Sequence, residues 1–272
     1  MTDRAPFALL LAAFLSLSLP GGASHAAEPA APGATPAALS LPTSRPPTPR
    51  LLEPQLRLLP APDRHRPQVA LTLDACMGKT DMRILTVLVA ERIPATIFVT
   101  ARWLRSNPEA VAILRQHPDL FEVENHGANH VPAVDVPTLI YGIASAGSAE
   151  AVAQEVAGGN AAIEAAGFPR ATWFRGSTAK YDPSAIRQIR AMGYRVAGYS
   201  LNGDGGSLLG AAVAEKKIAA AKDGDVIIAH INQPGHAAGE GVARALATLK
   251  QRGVSFVRLA DAGEIGDSGT AP

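Results

Sequence analysis

Seven short runs of apolar and β-branched residues recur along the chain: QVALTLDA, ATIFVTA, LFEVEN, TWFRG, YRVAGYS, DVIIAHI and VSFVRLA. Helical segments separate most of them. Strands joined through helices cannot pair as hairpins; they align in parallel, with the helices packed over the sheet. The intervening segments carry helical spacing. DMRILTVLVAER places Ile84, Leu85, Leu88 and Val89 on one face, and PEAVAILRQH places Val111 with Leu114. Gly167, Gly193 and Gly253 stand just past three such segments, where a helix stops, and Asp182-Pro183 opens another. Several strands are apolar on both faces, as burial beneath helices requires. The expected class is α/β, with a parallel sheet either open or closed into a barrel. Val131 to Asn160 reads as loop and helix.

The flanks differ in composition. Residues 1–26 carry Arg4, an apolar run from about Phe7 to Leu19, and Ser24-His25-Ala26. This is the pattern of a cleaved signal peptide, too short to span a bilayer, which takes about 20 residues. The expected location is secreted or periplasmic, with no membrane span in the mature protein. Residues 27–67 are rich in Pro, Ala and Thr and read as an extended tether, with Leu56, Leu58 and Leu59 near its end available to pack on the domain. The domain is expected over 68–262 and a disordered tail over 263–272. A net charge of +1 without a basic block excludes a nucleic-acid partner. The single cysteine, Cys76, excludes an internal disulfide and is either buried or reactive.

In parallel α/β folds, chemistry gathers at the C-terminal ends of strands. Asp74, Asn125-His126, Arg175, Asn202 to Asp204 and His230 all leave strands at that edge. His126 and His130 are four residues apart, a spacing that lets two imidazoles share a metal, on a loop marked by Gly127 and Pro132. His230 suits proton transfer near neutral pH; His236 lies in the next loop, lining a cleft or simply exposed. Arg175 follows Trp173-Phe174, so partial burial is expected, and a buried Arg needs an acid, for which Asp204 is a candidate.

Taken in order, these segments resemble the polysaccharide deacetylases of the NodB-homology type (carbohydrate esterase family 4), over about Val69 to Leu259. ALTLDAC is similar to a first motif that normally ends in two aspartates, NHGANHVP to the His-x-x-x-His metal motif, and WFRGSTAKY to a third motif built on Arg. YSLNGDGG takes the place of the fourth, and DVIIAHI is similar to the fifth. The resemblance implies a distorted (β/α) barrel of about seven parallel strands, NodB-like. It also implies metal-dependent hydrolysis of N-acetyl, or sometimes O-acetyl, groups on an acetylated glycan. Under it His126 and His130 bind a divalent metal, usually zinc. Asp74 is the general base, His230 the general acid, Arg175 orients Asp74, and an acid of the fourth motif, Asp204, tunes the site. Backbone N–H groups near the third motif could hold the oxyanion.

The chain departs from that pattern. Ala75 stands where the third metal ligand is usual. Asp74 is the expected replacement, with Cys76 or water as the other options. Gly176 and Ser177 replace prolines, and the Tyr of the third motif is either lost to Thr178 or displaced to Tyr181. The fourth motif lacks its Trp, and its acid is Asp204 or is replaced by Asn202. An unusual substrate or lost activity would follow. The alternative reading is a catalytically impaired relative that binds glycan or supports an envelope assembly. An aromatic content of 5% gives no visible platform for sugar rings.

Overall fold

The run Gln68–Ala75 is the centre of the sheet, and its neighbours follow from its two apolar faces. The computed structural model describes residues 49–59, 66–262 and 265–268. The expected signal peptide and much of the tether lie outside the described residues. In chain order the strands are β1 (Gln55–Leu58), β2 (Gln68–Ala75), β3 (Ala95–Val99), β4 (Phe121–Asn125), β5 (Leu139–Ile140), β6 (Ile143–Ala144), β7 (Trp173–Phe174), β8 (Arg195–Val196), β9 (Leu201–Asn202), β10 (Val226–His230), β11 (Ser255–Val257) and β12 (Ile265–Ser268). The helices are α1 (Met82–Ala90), α2 (Ala101–Ser106), α3 (Pro108–Gln116), α4 (Ala149–Ala165), α5 (Pro183–Ala191), α6 (Ala211–Ala219) and α7 (Ala238–Gln251).

Seven parallel strands, in the order β8-β7-β4-β3-β2-β10-β9, curl into a half-barrel, and β11 adds to the start of β2. The expected distorted barrel is therefore found. Strand alternation divides the core in two. Val69, Leu71, Leu73 and Ala75 face outward and pack with helix residues such as Leu85, Leu88 and Leu246. Ala70 faces inward and packs with Phe98, Trp173, Ala197 and Val226. Thr72 and Asp74 continue that inner face. Asp182 caps α5 by accepting from the Ala185 N–H, with Pro183 in its first turn, as the sequence predicts.

Two flanking segments form strands not expected from the sequence, although Leu56 and Leu58 do pack on the domain as anticipated. The end of the expected tether is strand β1, and its Leu56 and Leu58 are buried in the inner core. The Leu56 N–H donates to Tyr199 O at 3.4 Å, and the Leu58 N–H to Gly224 O at 2.9 Å. The chain comes so close here that a Cβ on Gly198 would sit 2.2 Å from Pro54 O. Residues Ile265–Ser268, expected within a disordered tail, form β12 and pair antiparallel with β1. The free edge of β1 carries backbone donors and acceptors that need partners, and β12 supplies them. Among the described residues no helix is long and apolar enough to cross a membrane.

Candidate functional site

The C-terminal strand ends enclose a cleft of about 530 Å³ whose floor includes Asp74, Cys76, His126, His130 and His230. Strand β2 explains two of these. Asp74 lies on its inner face, Ala75 turns outward into the helix-covered core, and Cys76, two residues after Asp74, returns to the inner side. A ligand at position 76 can therefore reach the cleft while the side chain at position 75 cannot.

His126 follows β4 and is buried. Its Nδ1–H donates to Arg175 O at 2.5 Å, which fixes the tautomer and leaves the Nε2 lone pair free. That Nε2 lies 3.4 Å from Cys76 Sγ and 3.8 Å from Asp74 Oδ2. His130 is not on a helical turn. Positive φ angles of 88° at Gly127 and 64° at His130 turn the loop, and Glu155 Oε1 accepts from the N–H groups of Asn129 (2.8 Å) and Val131 (3.1 Å). A side chain at position 127 would collide with that carboxylate, its Cβ falling 2.4 Å from Oε1. The result brings the two imidazole centroids to 5.2 Å. His130 Nδ1 is 3.2 Å from Ser177 Oγ.

Cys76, His126 and His130 each offer a ligand atom within 4.8 Å of the other two, the only group of this kind among the described residues. Asp74, expected from the sequence as the third ligand, is not in this group, although its Oδ2 lies 3.8 Å from His126 Nε2. Burial alone would raise the Cys76 thiol, but the His126 charge and hydrogen bonds from His126, His130 and His230 outweigh it and hold the thiol well below its usual range. For His126 burial works downward, and the neighbouring Asp74 and Cys76 lift it above the usual histidine value.

Asp74 has another partner. Arg175 is fully buried; its Nη1 donates to Asp74 Oδ1 at 3.0 Å and to Thr72 Oγ1 at 2.9 Å, its Nη2 donates to Gly198 O at 2.8 Å, and its guanidinium lies 4.3 Å from the Phe98 ring centre. Burial pushes the Asp74 carboxyl up, but Arg175 first, then His126 and His230, hold it below the ordinary carboxylate range. The expected pairing of Arg175 with Asp204 is not found, because Asp204 belongs to His230. Asp204 is buried; its Oδ1 lies 3.0 Å from His230 Nδ1, and its Oδ2 accepts the His230 N–H at 2.7 Å. Burial lowers the His230 imidazole, yet the Asp204 charge and hydrogen bond raise it well above normal. Asn202 accepts from the Gly205 N–H at 2.8 Å and so serves the turn, which leaves Asp204 as the acid of the fourth segment.

The cleft rim holds residues the sequence reading did not select. Tyr141, on the turn between β5 and β6, lines the cleft and is 73% exposed, and the exposed Leu208 lines it as well. Glu53, within the expected tether, lines the cleft and accepts the Tyr199 hydroxyl. Thr178 and Ala179 line it with φ angles of 68° and 52°, an unfavourable backbone for side-chain-bearing residues that is concentrated at functional sites. Tyr181 is buried, its hydroxyl accepting from the Gly176 N–H at 2.7 Å, and His236 is exposed on the surface, with its Nδ1 2.9 Å from Ser207 O. Only a close tertiary fold could bring Glu53 and Tyr141 to the same opening; no local sequence signal marks either.

The model of the polysaccharide deacetylase family matches residues 61–197, half of the chain. The chain belongs to the polysaccharide deacetylase family. The matched stretch contains Asp74, His126, His130 and Arg175, whereas Asp204 and His230 lie beyond it. No curated protein matches. Several solved structures share the fold. The peptidoglycan deacetylase PdaC from Bacillus subtilis is 19% identical with a TM-score of 0.57, over 73% of this chain and 90% of that one. A family 4 carbohydrate esterase from Streptomyces lividans, in complex with acetate, is 17% identical with a TM-score of 0.55, over 70% and 91%. A family 4 pseudoenzyme from Bacillus anthracis is 20% identical with a TM-score of 0.57, over 73% and 66%.

Proposed function

We propose that the protein is a metal-dependent hydrolase that removes acetyl groups from an acetylated glycan, N-acetyl before O-acetyl. The observation that carries this reading is the convergence of a carboxylate, two imidazoles with free ring nitrogens and a third, carboxylate-backed imidazole in one cleft. The donor set suits a divalent metal: His126 and His130 each have Nδ1 engaged by a second group, the arrangement that orients ligating imidazoles. A cation bound there would polarise the acetyl carbonyl and acidify a water.

The chain's own residues do the remaining work. Asp74, kept ionised by Arg175, accepts the proton of the attacking water. Arg175 fixes the carboxylate so that Oδ2 stays directed to the cleft while Oδ1 is engaged. His230, held as an imidazolium by Asp204, gives a proton to the departing nitrogen; general acid and base steps of this kind each contribute about 10²- to 10⁴-fold. Tyr141 at the mouth offers a flat face for a sugar ring. Residues 1–26 support action outside the cytoplasm.

The test is acetate release from acetylated chito-oligosaccharides, peptidoglycan fragments and acetylated xylan. His230→Ala should abolish release while leaving bound metal unchanged, and release that survives this change refutes the acid. Ala75, in the usual place of a ligand, favours a second reading, a glycan-binding relative without turnover. Saturable binding of an acetylated oligosaccharide with no acetate released would establish it.

A further inference from the structure

We infer that Cys76 supplies the third protein ligand of the metal site, making it a two-histidine, one-thiolate centre selective for zinc-like cations. This rests on the metal-dependent reading above and names the donor that sets which metal the site takes.

Three observations support it. The first is spacing. Zinc bound at about 2.3 Å to sulfur and about 2.0–2.1 Å to nitrogen, with tetrahedral angles, puts sulfur and nitrogen roughly 3.5 Å apart. Cys76 Sγ and His126 Nε2 are 3.4 Å apart. A thiol–imidazole hydrogen bond would account for that pair alone, but the His130 ligand atom is gathered within the same 4.8 Å group. The second is competition. Asp74 is the other candidate, yet its Oδ1 is committed to Arg175 and it stands outside the group that holds both imidazoles. The third is strand alternation: Ala75 faces the outer core, and Cys76 is the next residue able to reach the cleft. A donor moved from position 75 to position 76 thus restores a three-ligand site and leaves Asp74 free as base. A thiolate also changes the preference. Soft sulfur favours zinc and cobalt, whereas magnesium and manganese favour oxygen donors.

The full-length protein is loaded with cobalt(II) and its absorption recorded. Because Cys76 is the only cysteine, any thiolate-to-cobalt charge-transfer band in the near ultraviolet arises from it. The expected result is a strong band at one cobalt per chain, abolished by equimolar zinc and unaffected by about a 100-fold excess of magnesium or manganese. Cys76→Asp should retain cobalt, seen in its visible bands, and lose the ultraviolet band; Cys76→Ser gives the same reading if the aspartate variant does not fold. Stoichiometric cobalt without the band in the unmodified protein overturns the inference and leaves the deacetylase reading standing. The band without acetate release refutes the reaction and upholds the ligand. Failure to bind either zinc or cobalt overturns both.

Discussion

Replacing Arg175 by Met would test the claim that a buried cation holds the Asp74 carboxylate in its working state. Arg175 has no exposed surface, and Asp74 is 4% exposed, so solvent cannot replace the lost partner. The substitution removes the bonds to Asp74, Thr72 and Gly198 O while keeping an apolar side chain of similar length over Phe98. Deleting one member of a buried ion pair costs about 3–5 kcal/mol. For a folded unit of this size that is a fall in Tm of roughly 6–20 °C. The pH dependence has a definite sign. Asp74 has a lowered folded pKa, so its ionised form contributes stability above the usual carboxylate range, and that contribution is lost as pH falls through the folded value. In Arg175→Met burial acts on Asp74 without its main counterweight, the carboxyl rises, and the gap between the two proteins narrows on acidification. Urea unfolding at neutral and at mildly acidic pH measures this. Adding Asp74→Asn to Arg175→Met removes the stranded charge and should recover at least about 2 kcal/mol. A single variant within about 1 kcal/mol of the unmodified protein at neutral pH, or a double variant less stable than the single one, would refute the reasoning.

Asp204→Asn should move the His230 titration, followed by NMR, to lower pH and cut acetate release about 10²- to 10⁴-fold. His230 has a raised folded pKa, so its stabilising contribution is complete below the ordinary histidine value of 6.5 and lost as pH rises through the folded value; the variant should lose that pH dependence, and an unmoved titration would reject the pair. Leu56→Ala should cost about 2–5 kcal/mol in urea unfolding, since Leu56 fills the inner core; a cost under about 0.5 kcal/mol would return this segment to the status of a tether.

The positions of Asp74, His126, Arg175 and His230 were legible because each ends a strand, and a parallel sheet collects strand ends at one edge. Their pairings were not. Arg175 and Asp204 are both buried and opposite in charge, and composition alone makes them partners; the register of β10 on β2, which sets His230 beside Asp74, and the bonds from Asp204 to His230 divide them otherwise. Likewise Leu56 and Leu58 alternate in a short run within a proline-rich segment, too little for a strand assignment without the inner core they fill.

The sequence by itself determined the strand-and-helix alternation, and hence a parallel sheet with its polar residues at one edge, because side-chain periodicity and helix stops are local properties of the chain. It also determined that any thiol chemistry belongs to Cys76. Only the tertiary structure decided which groups touch: that Cys76 lies against His126 beside the histidine pair, that Arg175 is committed to Asp74, and that Glu53 and Tyr141 border the cleft. The reason is that the inner side of a curled sheet brings together residues a hundred or more positions apart, such as Asp74 and Arg175 at a sequence separation of 101 and Thr72 and Ile227 at 155, and no local pattern encodes such distances.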